Sequence, residues 1–193
     1  MTENCSPGDA DCAIVSWKHN GDTIDIALED TNTGSGWVGI GFAPTTNMQN
    51  SDIYFCQKDG DEVGIVSSFA TANTRPMDDD AGTGIITESV GTTVSSDGRF
   101  SCSFTRPASI IKQSLTINLK DGEEFYVLIA RGPGGKGNPG YHSKRTSTAE
   151  AIVFSSSMEN TFYGGVPQKD PSIFIKTHAS LLFISWGLLA PLG

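Results

Sequence analysis

The chain has 193 residues, of which 22 are glycine, and its 22 acidic and 13 basic side chains give a formal net charge of −9 at pH 7. This acidic balance excludes a nucleic-acid-binding protein, because phosphate binding needs a basic surface. The length suits one domain with short appendages, since domains most often run to roughly 100–150 residues.

Strand patterns separated by turn signals begin near the N-terminus. Residues 13–18 predict a first strand, which is followed by the hairpin signature Asn20-Gly21. Apolar and polar residues then alternate over residues 23–29, as they do in a strand with one buried face. Residues 31–36 are polar and contain glycine, which predicts a loop before the next strand.

The next predicted strand, residues 36–42 with the sequence GWVGIGF, is rich in glycine. One of its faces carries branched or aromatic apolar side chains, whereas the other carries Trp37, Gly39 and Gly41. Because glycine has no side chain, a bulky group can approach this second face closely. The polar loop that follows contains one isolated apolar residue, Met48.

Further strands are predicted at residues 52–57, 62–70, 85–94, 99–105, 115–119, 124–130 and 151–154. Loops are predicted at residues 74–83, which are polar, and at 131–141, which include five glycines and two prolines. About nine to eleven short strands at this close spacing predict an all-β fold, an antiparallel β-sandwich. Residues 155–176 lack any element pattern and are interpreted as a linker.

Four cysteines, an even set, allow three disulfide pairings. Of these we prefer Cys5–Cys12, which closes a short head, and Cys56–Cys102, which joins two predicted strands. No CxxC or Cys/His spacing indicates zinc, so the cysteines favour an oxidising compartment outside the cytoplasm. The N-terminus has neither the basic start nor the apolar core of a signal peptide, and we expect such a segment to be missing.

The last fifteen residues, ASLLFISWGLLAPLG, carry no charge. A transmembrane helix needs about 20 predominantly apolar residues, so this run is shorter than a complete span. It carries no capping or stop signal. We therefore expect it to be the first part of a membrane helix that is cut off, with a globular module attached to a missing membrane part.

The chain carries few signs of acid–base or nucleophilic catalysis, with three histidines and no GxSxG motif. The acidic run 78–80 lacks the alternating ligands of a calcium loop and is interpreted as a solvated loop. Met48 and His142 remain as candidate metal ligands. Each also has a structural explanation, since a loop methionine often fills a gap over a core and a lone histidine is often a surface residue.

Three segments, GWVGIGFAPTTNMQNSDIYFC, FSCSFTRP and EFYVLIARG followed by YHS, resemble a DOMON domain of the type found in ferric-chelate reductase 1-like proteins. The tail KTHASLLFISWGLLAPLG is similar to the start of the cytochrome b561 domain that follows DOMON in those proteins. The resemblance runs from about Cys12 to the end of the chain. It divides the chain into a head (1–11), a DOMON domain (12–157), a linker (158–175) and a truncated first b561 helix (176–193).

The resemblance implies a β-sandwich that holds one b-type haem between a methionine and a histidine, which match Met48 and His142. Trp37, Gly39, Gly41 and Phe42 are then expected to supply room and apolar walls for the macrocycle. A thioether and an imidazole would fill both axial positions of the iron, and the soft sulfur would favour its ferrous form. Met77 is a poorer alternative ligand because it lies in the acidic loop.

His178 matches the histidine that opens the first b561 helix and ligates one of the further haems of that domain. Its site would be incomplete in this chain. The implied function is one-electron transfer outside the cytoplasm, in a domain linked to the membrane by its C-terminal helix. The b561 haems would be the electron donor, and an external acceptor such as chelated Fe(III) would receive the electrons.

This reading makes the chain part of an oxidoreductase, a ferric-chelate reductase, without a catalytic acid or base of its own. The alternative is a haem-free DOMON module that is tethered to a membrane and binds a ligand or a protein.

Overall fold

The computed structural model describes residues 12–31, 36–78, 84–120, 122–135, 139–153 and 159–164. Within these ranges the chain forms β-strands and no helix. The strands are β1 (Ala13–His19), β2 (Thr23–Asp30), β3 (Gly36–Ala43), β4 (Ser51–Asp59), β5 (Glu62–Ala70), β6 (Met77–Asp78), β7 (Ile86–Val94), β8 (Phe100–Pro107), β9 (Ser109–Lys112), β10 (Leu115–Asn118), β11 (Glu124–Gly132), β12 (Lys144–Ser147), β13 (Ile152–Val153) and β14 (Glu159–Gly164).

Two antiparallel sheets make up the body of the fold. The first has the strand order β14-β1-β2-β8-β7. The second has the order β12-β11-β3-β4-β5-β6, with β13 also paired to β11. Strands β9 and β10 form a separate hairpin. The predicted all-β, antiparallel fold is therefore confirmed for the described residues.

The main hydrophobic core is shared by the two sheets. Val15 and Leu28 reach it from the first sheet, and Val38, Ile40 and Val127 reach it from the second. In β2, for example, the inward side chains are buried and alternate with more exposed ones, which is the pattern that the sequence predicted. The second sheet differs, because β3 is buried along its whole length. Its outer face must therefore also be covered.

Cys56 on β4 and Cys102 on β8 form a disulfide with a Cα–Cα distance of 5.7 Å. This is the pairing that the sequence favoured, and it links the two sheets across the core. Cys12 is also disulfide-bonded. Its expected partner, Cys5, lies outside the described residues, as does the rest of the predicted head.

The interpretation of residues 158–175 as a linker without an element of its own does not hold over its first part. Residues 159–164 form β14, which pairs antiparallel with β1. Without β14 this side of β1 would leave a row of backbone N–H and C=O groups unpaired. The polar strand β12 was also not predicted, since a strand at the edge of a sheet needs no apolar alternation.

No helix in the described part of the chain is long and apolar enough to cross a membrane. The predicted membrane helix, residues 176–193 with His178 at its start, lies outside the described residues.

Candidate functional site

The outer face of the second sheet carries the glycine-rich side of β3. Gly39 is paired with Phe55 on β4 and with Ala130 on β11. Trp37 is paired in the same way with Gly132 on β11. Directly opposed residues of antiparallel strands point to the same side of a sheet, so these residues share one face.

A second, smaller apolar cluster covers this face. Its buried members are Trp37, Ile53, Phe55 and Ala70, and Met48 and Ala130 pack against it. The Trp37 and Phe55 rings meet edge to face, with centroids 5.1 Å apart. The cluster explains why β3 is buried on both sides. We refer to these six residues as the outer cluster.

Met48 belongs to the loop between β3 and β4. Its neighbours on both sides, residues 44–47 and 49–50, are exposed, whereas Met48 is half-buried. Asn50 closes the loop with a left-handed φ of 57°, a conformation that asparagine tolerates better than most residues. The loop therefore turns one soft, apolar side chain inward onto the outer cluster.

Trp37 connects this cluster to the segment that carries His142. Its indole Nε1 donates a hydrogen bond of 3.1 Å to the carbonyl oxygen of Gly140. A Cβ atom added to Gly132 would lie 3.0 Å from the Trp37 ring, 3.0 Å from the His142 Cα and 2.8 Å from the Tyr141 oxygen. Glycine at position 132 thus allows the His142 segment to lie directly on β11. Trp37 thus lies against the segment that carries His142, and it belongs to the cluster on which Met48 packs.

His142 is half-buried, and its Nδ1 is buried without a hydrogen-bond partner. Its ring lies against that of Tyr141, with centroids 4.1 Å apart. Next to it the Ser143 amide donates to the Arg131 carbonyl at 2.8 Å, which holds the backbone in place. Burial lowers the pKa of His142 below its ordinary value of 6.5, and the positive charge of Arg145 lowers it further. The imidazole is therefore neutral at physiological pH and keeps a lone pair that a metal could accept.

The glycines of β3 accommodate neighbouring side chains. A Cβ atom on Gly39 would lie 2.9 Å from the Phe55 ring, which leans across it from β4. A Cβ atom on Gly41 would meet Ile53 and Leu128, each at 3.5 Å. The space over Gly39 thus belongs to Phe55, and a flat ligand would lie against Phe55 and Trp37.

Other residues singled out from the sequence lie elsewhere. Phe42 points to the opposite side of β3 and is fully buried in the main core, so it does not join Trp37 on the outer face. Met77 is 47% exposed on β6, at the opposite edge of the sheet from β12. His19 is buried and its Nε2 lies 2.9 Å from the Leu119 carbonyl oxygen, which is a structural role.

Sequence reasoning missed a buried ionic cluster on the inner side of the second sheet. The Asp52 carboxylate lies 2.6 Å from the Lys112 ammonium and 3.4 Å from the Arg106 guanidinium, with all three side chains buried. Lys112 also lies 4.5 Å from the centre of the Tyr54 ring. Burial, and then the charge of Asp52, raises the pKa of the Tyr54 hydroxyl well above 10. The only signal was a set of charged residues within or beside predicted strands.

No cluster of three or more histidine, cysteine or carboxylate side chains in the described part of the chain could hold a metal ion. Met48 carries a thioether and His142 an imidazole, and these two side chains are the candidate ligands. Two such ligands suit an iron atom whose other positions are filled by a macrocycle. The outer cluster and the buried, unpartnered nitrogen of His142 fit such a group.

A family model described as the DOMON domain matches residues 9–132. A protein of the ferric-chelate reductase 1 group from Danio rerio is 26% identical over 98% of this chain and 32% of its own length. The ferric-chelate reductase 1 of Mus musculus is 25% identical over 98% of this chain and 30% of its own length. The chain thus spans about a third of the length of these curated relatives.

Two solved structures share the fold. The cytochrome domain of Myriococcum thermophilum cellobiose dehydrogenase superposes with a TM-score of 0.53 at 15% identity, covering 86% of this chain and 81% of that one. The cytochrome b domain of pyranose dehydrogenase from Coprinopsis cinerea gives a TM-score of 0.52 at 12% identity, covering 84% and 80%. At these identities the likeness concerns the fold alone.

Proposed function

The chain belongs to the DOMON domain family, and from that premise we propose that it is an electron-transfer domain that holds one b-type haem between Met48 and His142. The observation that carries the proposal is the buried Nδ1 of His142, which has no hydrogen-bond partner. Buried polar groups nearly always have a partner, so this nitrogen calls for an explanation. A role of His142 as a metal ligand would explain the unpartnered nitrogen, since the His142 segment lies on the face of the sheet that carries the outer cluster.

The chain's own residues would each have a definite task at this site. Met48 offers a soft thioether, which favours the reduced form of iron. His142 offers a neutral imidazole, because its lowered pKa keeps the proton off at physiological pH. Trp37 and Phe55 form an apolar wall that excludes water. When bound, haem supplies the one-electron redox chemistry, which none of these side chains can perform alone.

The wider role that we propose follows the names of the curated relatives and the resemblance of the tail to the start of a b561 domain. In a longer protein, b561 haems in the membrane would pass electrons to this domain, which would deliver them to an external acceptor such as chelated Fe(III). The domain would then lie on the extracellular or lumenal side. The Cys56–Cys102 disulfide supports this placement, because disulfides persist in oxidising compartments.

The absorption spectrum of the purified chain, reconstituted with haem, tests this proposal. We expect a six-coordinate b-type spectrum on reduction, which changes or disappears in Met48→Ala and in His142→Ala. Met77→Ala is the matched control, since Met77 lies on β6 outside the outer cluster, and it should leave the spectrum unchanged. A chain that stays colourless after reconstitution would refute the proposal and favour the haem-free binding module.

A further inference from the structure

We propose that Asn20 is a modification site at which the side-chain amide converts spontaneously into an acid, with His19 as the base that starts the reaction. This inference is independent of the proposed haem site and concerns the turn between β1 and β2. Asparagine is among the chemically labile residues. The nitrogen of the following residue is the nucleophile that attacks its side chain, and the structure places an imidazole beside that nitrogen.

The first support is the turn itself. Asn20 is exposed, and its backbone amide donates a hydrogen bond of 2.8 Å to the Thr23 carbonyl oxygen, which closes the turn. Gly21 has a left-handed φ of 78°, which glycine adopts without strain. An added Cβ at Gly21 would meet no atom within 4 Å beyond its chain neighbours. The nucleophilic nitrogen therefore belongs to an uncrowded residue that follows an exposed side chain.

The second support is the position of His19. The Gly21 backbone N–H donates a hydrogen bond of 3.3 Å to His19 Nδ1. His19 Nε2 lies 2.9 Å from the Leu119 carbonyl oxygen, which can only accept, so Nε2 carries the ring proton. Nδ1 therefore presents its lone pair to the Gly21 N–H. Since the histidine is only 1% exposed, the surrounding residues hold the ring in this orientation.

The third support is the position of the Asn20 side chain. Its Nδ2 donates a hydrogen bond of 2.6 Å to Asp25 Oδ2, and the other oxygen of Asp25 accepts a bond of 2.7 Å from the Thr105 hydroxyl. These bonds hold the amide in one orientation. An acid at position 20 would lose the bond and face the Asp25 carboxylate, and like charges at this distance repel each other. The conversion therefore changes the interactions of the turn.

The reaction balances without an oxidant or a reductant. The Gly21 N–H proton moves to His19 Nδ1 as the Gly21 nitrogen forms a bond to Asn20 Cγ. The bond from Cγ to Nδ2 then breaks, and Nδ2 takes the proton from His19 and leaves as ammonia. Water opens the resulting cyclic imide at either of its carbonyl carbons, which gives aspartate or isoaspartate. His19 returns to its starting form, as a general base does.

The isoaspartate product alters the hairpin. It carries one more carbon atom in the main chain, within a turn that the pairing of His19 with Ile24 keeps short. The Asp22 carbonyl of the same turn accepts a hydrogen bond of 2.8 Å from the amide of Ala108, the residue between β8 and β9. Formation of isoaspartate therefore loosens both the pairing of β1 with β2 and the contact between the turn and Ala108.

The experiment follows residue 20 by peptide mapping and mass spectrometry while the purified chain is kept at neutral pH and physiological temperature. Wild type is compared with His19→Gln, because glutamine can still donate to the Leu119 carbonyl but is not a base at this pH. We expect the conversion of Asn20 to be about tenfold or more slower in His19→Gln. Asn50, which precedes Ser51, is the internal control, and its conversion should be the same in both chains.

The same comparison in urea separates the action of His19 as a base from an effect on stability. In the unfolded chain the imidazole is not held against the Gly21 amide, so wild type and His19→Gln should convert Asn20 at the same rate. Circular dichroism shows whether His19→Gln folds. If it does not fold, the wild type decides alone, since its conversion should be faster in the folded state than in urea.

The proposal is overturned if the two folded chains convert Asn20 at the same rate, or if the wild type does not convert it at all. A difference of equal size in urea would also overturn it, because the effect would then come from the local sequence and not from the folded contact. Where His19→Gln does not fold, a wild-type rate that is no higher in the folded state than in urea has the same consequence.

Discussion

The indole nitrogen of Trp37 donates a hydrogen bond to the carbonyl oxygen of Gly140 at 3.1 Å, across a sequence separation of 103 residues. Trp37 is a member of the outer cluster on which Met48 packs, and Gly140 lies two residues before His142. This single bond therefore connects the part of the chain that carries the thioether to the part that carries the imidazole. It makes Trp37 a positioning residue for the proposed site.

Replacing this indole should loosen the position of His142. In Trp37→Phe the ring still fills the outer cluster, but the Gly140 carbonyl loses its donor, at a cost of about 0.5–1.5 kcal/mol. We expect haem affinity to fall about two- to tenfold, from the same energy, while the fold is retained. Haem titration and hydrogen exchange at residues 139–143 measure the effect.

The control for this change is Trp17→Phe. Trp17 is also a buried indole, but its Nε1 has no hydrogen-bond partner, so its loss breaks no such bond. A similar fall in haem affinity in both variants would contradict the role of the Trp37 bond.

A methyl group at Gly39 should destabilise the domain. The added Cβ would lie 2.9 Å from the Phe55 ring and 3.2 Å from the Tyr54 carbonyl oxygen. Overpacking of this kind costs about 1–3 kcal/mol in the free energy of unfolding. Urea denaturation of Gly39→Ala measures the loss, and Phe55→Leu in the same chain should recover part of it.

Gly64→Ala provides the comparison, since an added Cβ at this strand position meets nothing within 4 Å. It should leave the free energy of unfolding unchanged or raise it slightly. Equal effects at the two glycines would mean that the contact with Phe55 does not matter.

The stability of the domain should depend strongly on the Asp52 carboxylate of the buried ionic cluster. Asp52→Asn keeps the size of the side chain but leaves Arg106 and Lys112 without the negative charge that lies 3.4 and 2.6 Å from them. Removing one partner of a buried ion pair costs about 3–5 kcal/mol. We expect a fall of that size in the free energy of unfolding by urea denaturation.

The exposed pair of Asp97 and Arg99 offers a contrast, because Asp97→Asn there should cause no measurable change. The haem spectrum of folded Asp52→Asn should be unaltered, since Asp52 points away from the outer cluster. A large shift of that spectrum would show that the two sites are coupled.

The pKa of His142 should lie below 6.5 in the haem-free protein, because burial and the charge of Arg145 both disfavour the imidazolium. A pKa that is depressed on folding contributes stability above the unfolded value, and this contribution is lost as the pH falls through the folded pKa. Stability attributable to His142 should therefore decline on acidification below about pH 6.5.

Titration of the His142 ring protons by NMR measures this value directly. Arg145→Gln should raise the pKa toward 6.5 without reaching it, since burial is the larger cause. A wild-type value at or above 6.5 would contradict the buried environment.

The strands could be predicted from the sequence more fully than the site. Alternation in β2 and the Asn20-Gly21 turn report local preferences, which hold wherever one face of a strand is buried. The pairing of β14 with β1 could not be predicted, because it depends on an open sheet edge formed by distant residues. The predicted position of Phe42 was wrong for a related reason. It is near Trp37 in sequence, but the pleat sends it to the main core.

The sequence predicted the candidate site residues by their types, and the fold decides where each of them lies. Met48 and His142 were singled out by their chemistry and by the family resemblance. Nothing local indicated that Trp37 would belong to the cluster on which Met48 packs and would also bond to the segment that carries His142. Gly39 was predicted to leave room for a macrocycle, whereas in the structure its missing side chain makes room for the Phe55 ring. The Asp52 cluster was missed because charged residues are usually exposed, and only the packing of β4 against β8 and β9 brings those charges together.

By itself the sequence determined that this is an acidic, all-β, antiparallel protein. Those properties follow from composition, from a repeat of two residues and from turn chemistry, which act over a few positions. The tertiary structure alone decided which face of β3 faces the core and which side chain fills the space over Gly39. These depend on strand register, because each pairing places residues from distant parts of the chain on a common face.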